Sequence, residues 1–170
     1  MPSSEDTVKE FLKVYNDKKY AHYHDPEYMT NQVFCPDSAT VKPSVGLSDY
    51  GPQFVGSAEV LGLFHQIFTS FPNVLFDPLE GRPWLYSREA PPMVAIEADL
   101  TGRHDKKWFD KGHAHYSPPI SWIEPDRVQH MSLAACSVFT LTADESRIIN
   151  WSMYFDRYKM HQQLKTSSGS

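Results

Sequence analysis

Cysteine is scarce in this chain: Cys35 and Cys136 are the only two among 170 residues. So sparse and distant a pair makes no disulfide framework of the kind small secreted domains rely on. Both thiols are expected to act as small buried hydrophobes. No apolar run approaches the ~18 residues that a membrane-spanning helix needs. No signal-peptide pattern opens the chain and no internal repeat is visible. Clustered basic charge is missing too: the sixteen Lys and Arg are scattered against twenty-one Asp and Glu, for a net charge of −5. Phosphate neutralisation needs clustered Lys and Arg, so a nucleic-acid partner is excluded. These absences predict one soluble, cytoplasmic domain over residues 1–165, with the Thr-Ser-Ser-Gly-Ser ending at 166–170 a disordered tail. A chain of this length buries roughly 70% of its extended surface, enough for one sizeable core.

What is present points first to the C-terminal third. Leu133 to Leu141 is a strand-length apolar run and Ala143 to Ser146 supplies a turn. Ile148 to Asp156 then alternates, with Trp151, Met153 and Phe155 on one face and Asn150, Ser152 and Tyr154 on the other. Residues 157–164 read as a closing helix. At the other end, Val8, Phe11, Leu12 and Tyr15 share one face of a helix over Thr7 to Lys18, with Ser4 or Asp6 as its cap. A short second helix is expected at Lys19 to His24, with a continuation past Pro26 left open. Pro36, Pro43 and Pro52 leave room only for short extended pieces up to Phe54. Ser57 then caps a helix whose stripe is Val60, Phe64, Ile67, Phe68 and Phe71, terminated by Pro72. Strands follow at Val74 to Pro78, Pro83 to Arg88 and Met93 to His104. Helices first and one long antiparallel meander after them define an α+β domain. Between His104 and Ser132, Pro118, Pro119 and Pro125 break the pattern among large aromatics such as Trp108 and Trp122. That stretch reads either as a lid or binding loop or as a plain strand pair.

Three short stretches carry a family resemblance. Val55-Gly56-Ser57 opening a helix that ends in Ser70-Phe71-Pro72-Asn73 is similar to the Gly-capped, Phe-Pro-Asp helix of SnoaL-like polyketide cyclases. Leu100-Thr101-Gly102-Arg103-His104 resembles their Gly-Thr-His strand, whose histidine faces the pocket. Trp151-Ser152-Met153-Tyr154-Phe155-Asp156 resembles the terminal strand of those cyclases and of limonene-epoxide hydrolase. The resemblance implies the cone fold that these proteins share with nuclear transport factor two, scytalone dehydratase and ketosteroid isomerase. In that fold a curved antiparallel sheet carries N-terminal helices on its concave face. Departures matter as well. The epoxide hydrolases place an acid two residues after the tryptophan, where Met153 stands here. Scytalone dehydratase has a Tyr-Asp pair on its first helix where this chain has Tyr15-Asn16, and its Gly-His-Ala-His-Ser run compares with residues 112–116.

The candidate chemistry follows from side-chain type and strand parity. His104 ends a strand face that otherwise reads Val94, Ile96, Ala98, Leu100 and Gly102, an apolar wall finishing in one titratable group. An imidazole near its ordinary pKa can take a proton from a carbon beside a carbonyl and return it elsewhere; its alternative is a structural histidine. Asp99 and Glu97 have the opposite parity, so only a bulge would let both faces line one pocket. The hydrolase comparison favours Asp99, for which the alternative is a surface or dimer-interface role. Asp156 is either a pocket acid or the N-cap of the following helix. Tyr15, Tyr154, Trp151, Trp108 and Phe64 are the candidate substrate-binding residues. His113 and His115, with Glu124 or His130, invite a metal, but their spacing matches no established ligand pattern and no metal or cofactor is expected. His22 and His24 beside Asp25 read as a solvated helix end.

Together the residues and the resemblance imply a cofactor-independent isomerase, cyclase or dehydratase acting by acid–base catalysis. Its expected substrate is a small, apolar, oxygenated polyketide or terpenoid of secondary metabolism. Two alternatives stay open: an epoxide hydrolase or hydratase of the same fold, and a non-catalytic ligand-binding or dimerisation module. A homodimer is expected, because the convex face of the sheet needs a cover.

Overall fold

The computed structural model describes residues 2–45, 53–104, 129–156, 158–159 and 162–163. It opens on helix α1 (Ser4–Asn16), which starts earlier than its apolar spacing suggests. Ser3, not Ser4 or Asp6, is the N-cap, and Asp6 reaches back to the Ser3 amide to complete a capping box. The expected helix at Lys19 to His24 is instead a series of turns. His24 takes a left-handed backbone (φ 51°), which stops a helix there. Asp25 then caps the single turn α2 (Pro26–Tyr28), and the chain widens into a π-helical turn over Met29–Val33.

Strands β1 (Thr40–Val45) and β2 (Phe54–Val55) lead to helix α3 (Gly56–Ser70), followed by β3 (Leu75–Pro78), β4 (Leu85–Ser87) and β5 (Met93–His104). Strands β6 (Gln129–Leu141) and β7 (Ile148–Phe155) form the hairpin read from the sequence. Residues 129–132, in the stretch read above as either a lid loop or a strand pair, begin β6, and residues 105–128 lie outside the described residues. α3 starts without a side-chain cap; Glu59 accepts the Val55 amide at 2.8 Å in place of the expected Ser57 cap. Residues 158–159 and 162–163 are helical, in line with the helix expected after Asp156.

The seven strands make one sheet in the order β2-β1-β7-β6-β5-β3, with β4 beside the first half of β5. Every pairing but one is antiparallel. The exception corrects the simple meander: β1 lies parallel to β7, with Val41 opposite Trp151. A parallel neighbour requires a long crossover, and here all the chain from α3 to β6 provides it.

One face of this sheet is the core. Along β5 the even positions Val94, Ile96, Ala98, Leu100 and Gly102 are buried, while Met93, Glu97, Asp99 and Arg103 are exposed. Register carries the same face across β6 and β7: Val94 stands opposite Phe139, which stands opposite Trp151. Gly102 is required by close approach, since a Cβ there would meet the Phe71 ring at 3.2 Å and the Val74 Cα at 3.5 Å. The end of α3 thus rests on the end of β5. α1 runs from the tip of the β6–β7 hairpin, where Glu145 accepts the Ser4 amide at 2.6 Å, to β3, where Asn16 meets Phe76.

Candidate functional site

Three of the five aromatic candidates meet on the inner face. Tyr15 from α1, Phe64 from α3 and Trp151 from β7 are all buried. Trp151 stacks parallel to Phe64 at 6.0 Å and to Phe139 at 6.1 Å, and Phe11 meets it edge-on at 4.9 Å. Its indole N–H donates to the Ser137 hydroxyl at 2.9 Å, so the one polar atom of this ring is satisfied inside the core. Tyr15 stacks on Phe11 at 5.5 Å and meets Phe68 edge-on at the same separation. Burial raises the Tyr15 phenol well above its usual range, so it stays a hydrogen-bond donor.

Towards the hairpin tip the inner face carries Phe139, Trp151, Leu141 and Ile148, all fully buried. Towards the far end the facing pairs are Ala98 opposite Ala135, Leu100 opposite Leu133, and Gly102, with the Phe71 ring against it, opposite Met131. His104 pairs with Gln129 at this end, on the even register of β5. The far end therefore brings an apolar wall to the register position of the first-choice histidine.

The carboxylates fall elsewhere. Asp99 is exposed on the outer face, opposite Asp77 of β3 and Ala134 of β6. No bulge in β5 brings it round, so it shares no face with Tyr15 and Trp151. Asp156 is exposed and accepts the Lys159 amide at 2.9 Å, a helix-cap arrangement, which corrects its reading as a pocket acid. Tyr154 is 45% exposed and alternates away from Trp151 onto the outer face, so it too leaves the candidate site. Met153, where the epoxide hydrolases have an acid, is buried and apolar. Among the described residues no carboxylate is buried. Trp108, His113, His115 and Glu124 lie outside the described residues, and His130 is exposed.

Asn16 has a structural task. Its carboxamide donates to the Phe76 carbonyl at 2.6 Å and accepts the Phe76 amide at 2.8 Å, which closes the free edge of β3. The reading of His24 as solvated is also corrected. Its ring lies between Tyr23 (3.7 Å) and Phe68 (4.4 Å), and Nε2 is 2.9 Å from the Tyr15 carbonyl. Burial lowers its pKa, while nearby carbonyls of Tyr15 and Val74 pull the other way. His22, by contrast, does pair with Asp25, at 3.3 Å on a partly exposed surface.

Among the described residues, sequence reasoning passed over three buried polar atoms without a hydrogen-bond partner: Tyr23 Oη, Thr30 Oγ1 and Gln66 Nε2. Thr30 sits in the π-helical turn, and Gln66 on α3 between Leu63 and Ile67. The available signal was a glutamine inside an apolar helix. A groove of about 340 Å³ is lined by Thr7, Glu10, Lys13, Gln32, Val33 and Ser146 among others. It is at the hairpin-tip end, away from the register of His104, and its mixed charges suit solvent better than an apolar ligand.

No family model matches the sequence, and no curated protein matches it closely. Solved structures do match. PrhC from Penicillium brasilianum NBRC 6234 superposes with a TM-score of 0.65 at 11% identity, over 95% of this chain and 84% of that one. A putative polyketide cyclase from Silicibacter sp. TM1040 gives 0.64 at 14%, over 95% and 94%. BvnE pinacolase from Penicillium brevicompactum gives 0.62 at 8%, over 90% and 85%. The chain has the α+β cone fold of the SnoaL-like cyclases and ketosteroid isomerase-like proteins, as its sequence motifs suggested. At such identities the likeness establishes the fold and leaves the reaction to the site.

Proposed function

We propose that this chain is a cofactor-independent acid–base enzyme, an isomerase, cyclase or dehydratase for an oxygenated polyketide or terpenoid intermediate. The observation that carries the proposal is the parity of β5. Its inner face, Val94, Ile96, Ala98, Leu100 and Gly102, is buried throughout and ends at the register of His104. The similarity to polyketide cyclases and to a pinacolase supports an enzyme of this kind.

In this reading His104 removes a proton from a carbon beside a carbonyl and returns it at another position. The developing enolate oxygen needs fixed donors, which are most effective where water is excluded. Tyr15 is one such donor, because burial keeps its phenol protonated. Asp99 and Asp156 take no part, which weakens water activation by a carboxylate pair and hence the hydrolase alternative. The assembled form in this reading is a homodimer joined through the outer face of the sheet.

The test uses proton exchange and needs no knowledge of the natural substrate. α-Tetralone in deuterium oxide should gain deuterium at the carbon beside its carbonyl faster with the protein than without it. His104→Ala should keep the far-ultraviolet dichroism of the parent and slow this exchange by about a hundredfold or more. A folded His104→Ala protein with undiminished exchange would remove His104 from the mechanism.

A further inference from the structure

The proposed donor Tyr15 is shut away, at 1% exposed. Among the described residues, four rings meet it: those of Phe11, Phe68, Trp151 and His24. Phe11 belongs to α1, Phe68 to α3 and Trp151 to the middle of β7, so moving any of them breaks regular helix or sheet. His24 belongs instead to a run of turns, residues 17–25. Within that run the Tyr20, Tyr23 and Asp25 amides donate to the Asp17, Tyr20 and His22 carbonyls, while the His24 amide reaches the Val14 carbonyl of α1 at 2.7 Å. On its inner side the His24 ring stacks on Phe68 at 4.4 Å. On its outer side Tyr20 donates to Glu10 Oε1 of α1, which also accepts from Tyr28 at 2.8 Å. Lying closed costs the run two things. His24 keeps a left-handed backbone (φ 51°), a strained region for a residue with a Cβ. The Tyr23 hydroxyl is buried without a partner, although water would supply one. A segment without regular structure that carries such costs opens more easily than the helices beside it.

We propose that residues 17–25 are a strap that opens to admit substrate to Tyr15, with the Tyr20–Glu10 bond as its clasp. The proposal rests on the acid–base reading above and deepens it by naming the route to its donor. Both ends of the strap are fixed, since Asp17 is the C-cap of α1 and Asp25 caps α2. Opening lifts His24 off Phe68 and Tyr15 and gives the Tyr23 hydroxyl to water. Closing over a bound ketone excludes water again, which is where a fixed phenol donor is most effective.

The experiment compares the parent with Tyr20→Phe, which removes the clasp and keeps the ring. Amide exchange resolved by NMR reads the opening, and stopped-flow tryptophan fluorescence reads the binding of α-tetralone. In the parent the Tyr20, Tyr23, His24 and Asp25 amides should exchange faster than those of Phe11 to Tyr15 in α1. In Tyr20→Phe the strap amides should exchange about tenfold faster still, the worth of one hydrogen bond to a charged group, with α1 and β5 unchanged. The ketone should then enter and leave about tenfold faster at an unaltered Kd, because a gate sets rates and leaves the closed complex as it was. Glu10→Gln, which weakens the same bond, serves should Tyr20→Phe fold poorly. Strap amides that do not accelerate, or that accelerate together with α1, overturn the strap as a separate unit. Faster strap exchange with unaltered ketone rates overturns the gate and leaves the acid–base reading standing. A parent that binds no ketone overturns both.

Discussion

Asn16 shows how one atom decides a residue's role. An aspartate there would be the nearer match to scytalone dehydratase, but only a carboxamide can both accept the Phe76 amide and donate to the Phe76 carbonyl. Asn16→Asp turns the second bond into a repulsion between two acceptors. We expect it to lower the urea midpoint by an amount equivalent to about 1–3 kcal/mol with the m-value unchanged. A midpoint equal to the parent's would show that the edge of β3 needs no such clasp. Tyr15 and Trp151 were legible in the sequence because large aromatics at core positions declare themselves by spacing. Asp99 and Tyr154 were misassigned to the site although their own parity already opposed it; the comparison with relatives outweighed the period-two rule there.

At the scale of elements, the tip of the β6–β7 hairpin holds the helices in place. The Glu145 carboxylate accepts the amide and hydroxyl of Ser4, and the Arg147 guanidinium donates to the Asn31 carbonyl at 2.8 Å. Long-range bonds of this kind follow no local spacing, which is why the strand and helix bounds could be read while their fastening could not. β5 was read in full from Met93 to His104, since a twelve-residue alternation leaves little doubt of its period. The helix expected at Lys19 to His24 does not form, since its stop signal is a backbone angle at His24, and only the stretch past Pro26 is helical. The side-chain amide of Gln163 brackets the Ser132 backbone at 2.8 and 2.9 Å, where β6 has outrun β7, as Asn16 brackets Phe76.

These fastenings have a pH signature. The Ser4 hydroxyl and amide hold the Glu145 carboxyl below its ordinary 4.5, so its stabilisation is complete above that value and is lost as pH falls through the folded pKa. Burial depresses His24 below 6.5, so the native state resists its protonation and stability begins to fall already under that pH. Two windows are therefore expected in a plot of urea midpoint against pH. Glu145→Gln should flatten the lower and His24→Gln the upper. A midpoint that stays level as pH falls through and below 6.5 would contradict the His24 assignment, and one that stays level well below 4.5 the Glu145 assignment.

For the whole molecule, the outer face of the sheet sets the expectation of a dimer. Leu85 is 67% exposed and Met93 39%, and register joins Leu85 through Ala95 to Val138 and Ser152 in one row across four strands. Tyr154 stands beside Cys136 in the next row but one towards Glu97 and Asp99. An apolar centre with both signs of charge at its margin, where Arg82 pairs with Glu97 at 3.5 Å, can face a copy of itself across a twofold axis. A second copy is the simplest cover, since one surface then supplies both halves of the contact. Light scattering at micromolar concentration should give twice the 19.5 kDa of the chain. Val138→Asp would set two carboxylates against each other near the axis and should yield a monomer that keeps the parent's dichroism, because the substituted side chain points away from the core. A parent already monomeric at that concentration would leave the outer face without this partner, and Leu85 and Met93 would then be exposed in solution.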